Sequence, residues 1–152
     1  MQVVLFQPEI PPNTGNVGRL CAATRTPLHL IRPLGFRLED KYLKRAGLDY
    51  WPFVDLHVWD NWEEFAKSLP DSQPILLTSA RQGPCLYDLR LSGQEIVVLG
   101  PETTGLPSWL WERYPHHARI PIWGEVRSLN MANAAALFIY EGYRQSGALV
   151  NP

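Results

Sequence analysis

Residues 96–107, Ile96-Val97-Val98-Leu99-Gly100-Pro101-Glu102-Thr103-Thr104-Gly105-Leu106-Pro107, pass directly from four apolar side chains into a turn of Gly, Pro and small polar residues. A short unbroken apolar run bounded by turn residues is the pattern of a strand buried on both faces of a parallel sheet. The pattern recurs at Val3–Phe6, Leu28–Ile31 and Ile75–Thr78, with further strands expected at Phe53–Val58 and Arg119–Ile122. Helical stretches alternate with these runs. One is capped by Asn13 or Thr14 and ends near Arg25, before Pro27; others cover Asp40–Ala46 and Asn61–Ser68, and a short one follows Pro107. The last spans Leu129–Gln145, with Ser128 as its expected cap and Gly147 at its end. Strands alternating with helices predict an α/β fold: a mostly parallel sheet with helices on both faces.

The chain has 152 residues, 45% of them apolar and 19% charged, which fits a single domain over residues 1–152 with a proper core. Its longest apolar run, Ala134–Tyr140, is far short of the roughly 20 residues that span a bilayer. The start, MQVVLFQPEIPP, has no basic leader and meets Glu9 early, so a soluble, cytoplasmic protein is expected. Cys21 and Cys85 lack a CxxC spacing and read as reduced, buried thiols. The four histidines show no ligand spacing, so no metal site is expected.

The formal net charge is −1, but its distribution is uneven. Arg19, Arg25, Arg32, Arg37, Lys41, Lys44 and Arg45 face only Glu39 and Asp40 within residues 19–45. Lys41, Lys44 and Arg45 share one face if that stretch is helical. Such a stripe is either a solvated surface or a patch for a phosphate backbone.

Three polar segments follow strands, where open α/β sheets bind ligands. Residues 8–19, PEIPPNTGNVGR, open a helix, and its first amides are potential anion donors. Residues 100–107, GPETTGLP, contain two glycines that permit close backbone approach, and a lone acid, Glu102, whose plain structural role would be to cap the helix after Pro107. Residues 120–133 run from Ile120-Pro121-Ile122 to Ser128-Leu129-Asn130-Met131-Ala132-Asn133, where Asn130 and Asn133 are poor mid-helix residues. Neither GxGxxG nor GK[ST] is present, so dinucleotide and P-loop sites do not fit. On pattern alone the three segments define a nucleotide-like ligand site beside a basic patch.

The same residues resemble the SPOUT superfamily of RNA methyltransferases, and within it the TrmL-like group of small tRNA 2′-O-methyltransferases. The resemblance spans essentially the whole chain, through LFQPEIPPNTGNVGRLCA, DKYLKRAGLDYW, GPETTGLP and IPIWGEVRSLNMANAAALFIYEGYRQ. It implies a C-terminal trefoil knot, a homodimer, S-adenosylmethionine as methyl donor, and methyl transfer to the ribose 2′-hydroxyl of the wobble nucleotide, position 34, in the tRNA anticodon stem-loop. By motif, the cofactor is expected at Leu77, Thr78, Gly100, Glu102, Ile120, Ile122, Ser128, Leu129 and Met131. Arg19, Asn16, Ser128, Asn130 and Tyr140 are the expected catalytic residues; Arg19, Lys41, Lys44 and Arg45 are expected to meet RNA. The family pattern commonly reads PETRGLP and RSMNLSN; this chain carries Thr104 for the Arg, and Leu129, Met131 and Ala132 in the last motif. Ribosomal RNA as substrate, or RNA binding without turnover, are the alternatives.

Overall fold

The computed structural model describes residues 1–38 and 49–149. Strands β1 (Gln2–Phe6), β2 (Leu28–Ile31), β3 (Leu56–Trp59), β4 (Ile75–Ser79), β5 (Ile96–Leu99) and β6 (His117–Arg119) form one sheet in the order β3-β2-β1-β5-β4-β6. All neighbouring strands are parallel. Helices α1 (Pro11–Thr24), α2 (Trp62–Lys67), α3 (Ser108–Arg113) and α4 (Met131–Ser146) cover the two faces.

Successive side chains of a strand point to opposite faces, and here both faces are dry. Val3, Leu5, Leu28, Leu30, Val97 and Leu99 pack beneath Val17 and Cys21 of α1 and Ala135, Phe138 and Ile139 of α4. Val4, Phe6, Ile75, Leu77, Ile96 and Val98 pack beneath Trp62 and Phe65 of α2 and Leu110 of α3. That explains why these strands read as continuous apolar runs. Each fully buried aliphatic or aromatic side chain contributes about 1.5–3 kcal/mol, so the two layers supply most of the driving force. Burial in the α1–α4 layer pushes the Cys21 thiol up to about 12, which keeps it protonated and inert. Cys85 is also a free thiol but only half-buried.

Several boundaries differ from the sequence expectation, each for a local reason. Helix α1 begins at Pro11 with Ile10 as its unassisted cap, because Pro11 and Pro12 have preset φ and no N–H to satisfy. It ends on Arg25 in the left-handed region, φ 51°. The third strand starts at Leu56, since Trp51–Phe53 winds into a 3-10 turn around Pro52. The last strand is His117–Arg119, not 119–122: Pro121 has no N–H to donate to a ladder. Helix α4 is capped by Asn130, whose side chain accepts from the Ala132 amide at 2.9 Å, so Ser128 lies outside it. Gly147 ends α4 at φ 76°, as its position predicted. The expected helix at 40–46, with Lys41, Lys44 and Arg45, lies outside the described residues.

One buried polar group sits within the sheet, next to the edge strand β3. His29 of β2 bonds through Nε2 to Gln2 Oε1 at 2.8 Å, while Trp59 Nε1 donates to its Nδ1 at 3.1 Å. Both ring nitrogens are thus satisfied in the neutral form. Burial, and then the stacked His57 ring at 4.9 Å, hold the His29 pKa down to about 4, against a smaller upward pull from Asp55. The unfolded imidazole takes up a proton near 6.5 that the folded one refuses, so stability should fall as pH drops from 6.5 to about 4 and level off below. Urea unfolding across that range should show the slope, and His29→Gln should flatten it; an unchanged slope would locate the effect elsewhere.

Candidate functional site: a cavity at the carboxyl ends of the strands

The segments after β1 and β5 hold each other through exchanged carboxylates. Glu102 accepts from the Glu9 amide at 2.9 Å, the Ile10 amide at 3.2 Å and Asn13 Nδ2 at 3.0 Å. In return Glu9 accepts from the Thr103 amide at 2.9 Å and the Thr103 hydroxyl at 2.8 Å. Glu102 therefore serves the start of α1, not the helix after Pro107. A carboxylate at a helix N-terminus is favoured both by the amides and by the helix dipole. This also corrects the expectation of an anion site at residues 8–19: Pro8, Pro11 and Pro12 have no N–H, and the Glu9 and Ile10 amides are already taken.

The clasp continues into the third segment. Asn130 Nδ2 donates to Asn13 Oδ1 at 2.9 Å, so Glu102, Asn13 and Asn130 form one side-chain chain across three loops. Asn133, by contrast, is exposed on α4. From the other side of the sheet, Trp111 of α3 donates to the Leu106 carbonyl at 3.0 Å and pins the turn 100–107. Within that turn a Cβ on Gly100 would sit 2.5 Å from the Leu106 nitrogen and 2.7 Å from the Gly105 carbonyl carbon. Only glycine lets the strand end lie against its own loop.

Together these loops enclose a cavity of about 650 Å³ beyond β4, β5 and β6. Of the residues expected around a cofactor, Thr78, Gly100, Glu102, Ile120, Ile122, Ser128, Leu129 and Met131 line it. Leu77 does not; its side chain packs in the opposite layer beneath α2 and α3. Of the expected catalytic residues, Ser128 and Asn130 line the cavity, whereas Asn16, Arg19 and Tyr140 do not. Arg19 projects from α1 over the Tyr50 ring, 4.7 Å from its centroid, with Asp49 at 3.8 Å. Tyr140 lies on α4 and is 48% exposed.

The sequence reading missed Ser79–Gln82, which lines the cavity after β4. A polar Ser-Ala-Arg-Gln run at a strand's carboxyl end was a usable signal for it. It also missed Trp111 and Phe138, which nothing in the sequence separates from ordinary core residues. Among the described residues no group of three His, Cys, Asp or Glu is placed to hold a metal, and no helix is long and apolar enough to cross a membrane.

A parallel α/β sheet with a cavity at its strand ends, built from three strand-to-helix loops, is the layout of an enzyme that takes a nucleotide-like ligand. Residues 1–140 match the SpoU rRNA methylase family, and the chain belongs to it. A tRNA (cytidine(34)-2′-O)-methyltransferase from Methylovorus glucosotrophus is 47% identical over 148 residues, covering 94% of each chain. A solved structure described as giving structural insights into the 2-OH methylation of C/U34 on tRNA is 48% identical, with a TM-score of 0.92 over 97% of this chain and 96% of that one. The SpoU methyltransferase AviRb from Streptomyces viridochromogenes, solved with AdoMet, shares the fold at 22% identity, with a TM-score of 0.80 over 95% of this chain and 57% of that one.

The clasp makes a measurable prediction. Replacing one Glu102 oxygen by an amide, Glu102→Gln, turns a donor toward donors and should lower the unfolding free energy by about 1–3 kcal/mol. Urea denaturation monitored by tryptophan fluorescence checks it; an unchanged midpoint would mean the exchanged bonds contribute nothing.

Proposed function

We propose that this protein transfers a methyl group from S-adenosylmethionine to the ribose 2′-hydroxyl of the wobble nucleotide, position 34, of a tRNA. The observation that carries the reading is the cavity itself, at the family's motif residues, combined with near-full-length similarity to a position-34 methyltransferase. A substrate of this kind implies a cytoplasmic protein.

The residues present fit the methyl donor. A cavity of about 650 Å³ suits a ligand of that size. Its walls at Leu99, Ile120, Ile122, Leu129 and Met131 are apolar enough for an adenine ring, and main-chain groups around Gly100 can read the ring edge. Bound S-adenosylmethionine supplies an electrophilic methyl group on a sulfonium. The chain's contribution is to exclude water, hold the ribose in line and compensate charge that develops on its oxygen. Positioning of this kind accounts for roughly 7–11 kcal/mol in well-oriented systems.

Arg19 is assigned to the ribose oxygen and its neighbouring phosphate. A guanidinium, with a pKa above about 12, is a poor base but a strong, bidentate partner for an alkoxide or phosphate. Because Asn16, Arg19 and Tyr140 do not line the cavity of their own chain, the reading is that a second copy brings its α1 and α4 against it. Exposed apolar side chains on and before α4, including Leu137, Tyr140, Val126 and Trp123, support such a homodimer. We further read the segment 120–130 as threading the C-terminal trefoil knot. It leaves β6 on the far side of β4, yet α4 packs with α1, on the face that Leu86 and Leu91 of the β4–β5 connection also cover.

Mapping of 2′-O-methyl groups in tRNA and rRNA from cells lacking the protein should show loss at tRNA position 34 alone. Loss in rRNA would redirect the substrate, and loss nowhere would favour RNA binding without turnover. Arg19→Ala should keep S-adenosylhomocysteine affinity in calorimetry while turnover drops by about a hundredfold or more, the scale of a lost charge-stabilising group. Normal turnover would remove Arg19 from the mechanism.

A further inference from the structure

The charged side chains on the cavity wall are Arg81, Glu102 and Arg127. Glu102 is committed to the start of α1 by three hydrogen bonds, whereas neither arginine forms an ion pair among the described residues. The charge left facing the opening is therefore positive. Arg81 projects from a braced turn. The Ser79 hydroxyl accepts from the Arg81 amide at 3.1 Å and the Gln82 amide at 2.9 Å. Two residues on, Arg119 Nε donates to the Gly83 carbonyl at 3.1 Å, and the Arg119 amide donates to the Pro84 carbonyl at 2.9 Å. The backbone beneath Arg81 is thus set in advance, which lowers the ordering cost of any contact its side chain makes.

We infer that Arg81 is an RNA-binding residue that takes a backbone phosphate of the substrate at the mouth of the cavity. The inference rests on the RNA-methylation reading. S-adenosylmethionine carries a sulfonium, an ammonium and one carboxylate, so its net charge is +1 and two uncompensated arginines do not favour it. The RNA is a polyanion, and a planar guanidinium matches the two free oxygens of a phosphodiester. Arg81 thereby joins the methyl-donor cavity to the strand that must enter it, and it lies outside the basic stretch at residues 19–45.

The test compares wild-type protein with Arg81→Ala in two titrations, one with S-adenosylhomocysteine and one with substrate tRNA across a salt series. The variant should keep its affinity for S-adenosylhomocysteine and lose roughly tenfold in tRNA affinity at low salt. Its log–log salt slope should be shallower by about one. Arg81→Lys should recover part of the affinity. Unchanged tRNA affinity and slope in Arg81→Ala would overturn the inference. So would a selective loss of S-adenosylhomocysteine binding, which would assign Arg81 to the donor's carboxylate instead. Wild-type protein that neither binds nor methylates tRNA would fail the functional reading itself, a result distinguishable from either.

Discussion

Glu9 and Glu102, separated by 93 positions, each place a carboxylate on the other's loop, and the cavity depends on that exchange. The start of α1 needs acceptors because a helix leaves its first amides unpaired. The turn after β5 needs donors fixed in space because its glycines cannot hold a conformation through their own side chains. Each loop supplies what the other lacks. Asn13 and Asn130 extend the exchange to the start of α4, so side-chain hydrogen bonds join three strand-to-helix connections.

This arrangement explains the chemistry of the walls. The side chains of Glu102, Asn13 and Asn130 are spent on joining loops, while Leu99, Ile120, Ile122, Leu129 and Met131 give the cavity apolar walls. Such walls suit the flat ring of an adenosyl group. Asn16 and Arg19 of α1 and Tyr140 of α4 lie outside that cavity.

The α1–α4 layer is tied together by its own hydrogen bonds. Tyr143 of α4 bonds through its hydroxyl to Thr26 at 2.7 Å, just past the end of α1. Glu141 is held well below the usual carboxylate range, at about 2, first by hydrogen bonds from Arg144. Gln145 bridges Glu141 to the Leu89 carbonyl and the Leu91 amide, tying α4 to the connection before β5. With these bonds on its inner side, α4 can present Leu137 and Tyr140 outward without loosening the core.

Much of the fold was legible in the chain itself. Unbroken runs such as Ile96–Leu99 can satisfy themselves only between two covered faces, and Gly147 marked the end of α4 because a left-handed residue is needed there. The loops after β5 and β6 were legible too, as turn-rich polar segments at strand ends. Long-range partners were not. Nothing local says that Glu102 serves a helix ninety residues earlier, that Leu77 faces away from the cavity, or that Ser79–Gln82 completes its wall. A strand's alternation sets which residues share a face, but which face meets which loop is decided only when β4, β5 and β6 take their places in the sheet. Hydrogen bonds between distant loops are specified by that geometry and leave no periodic trace in sequence.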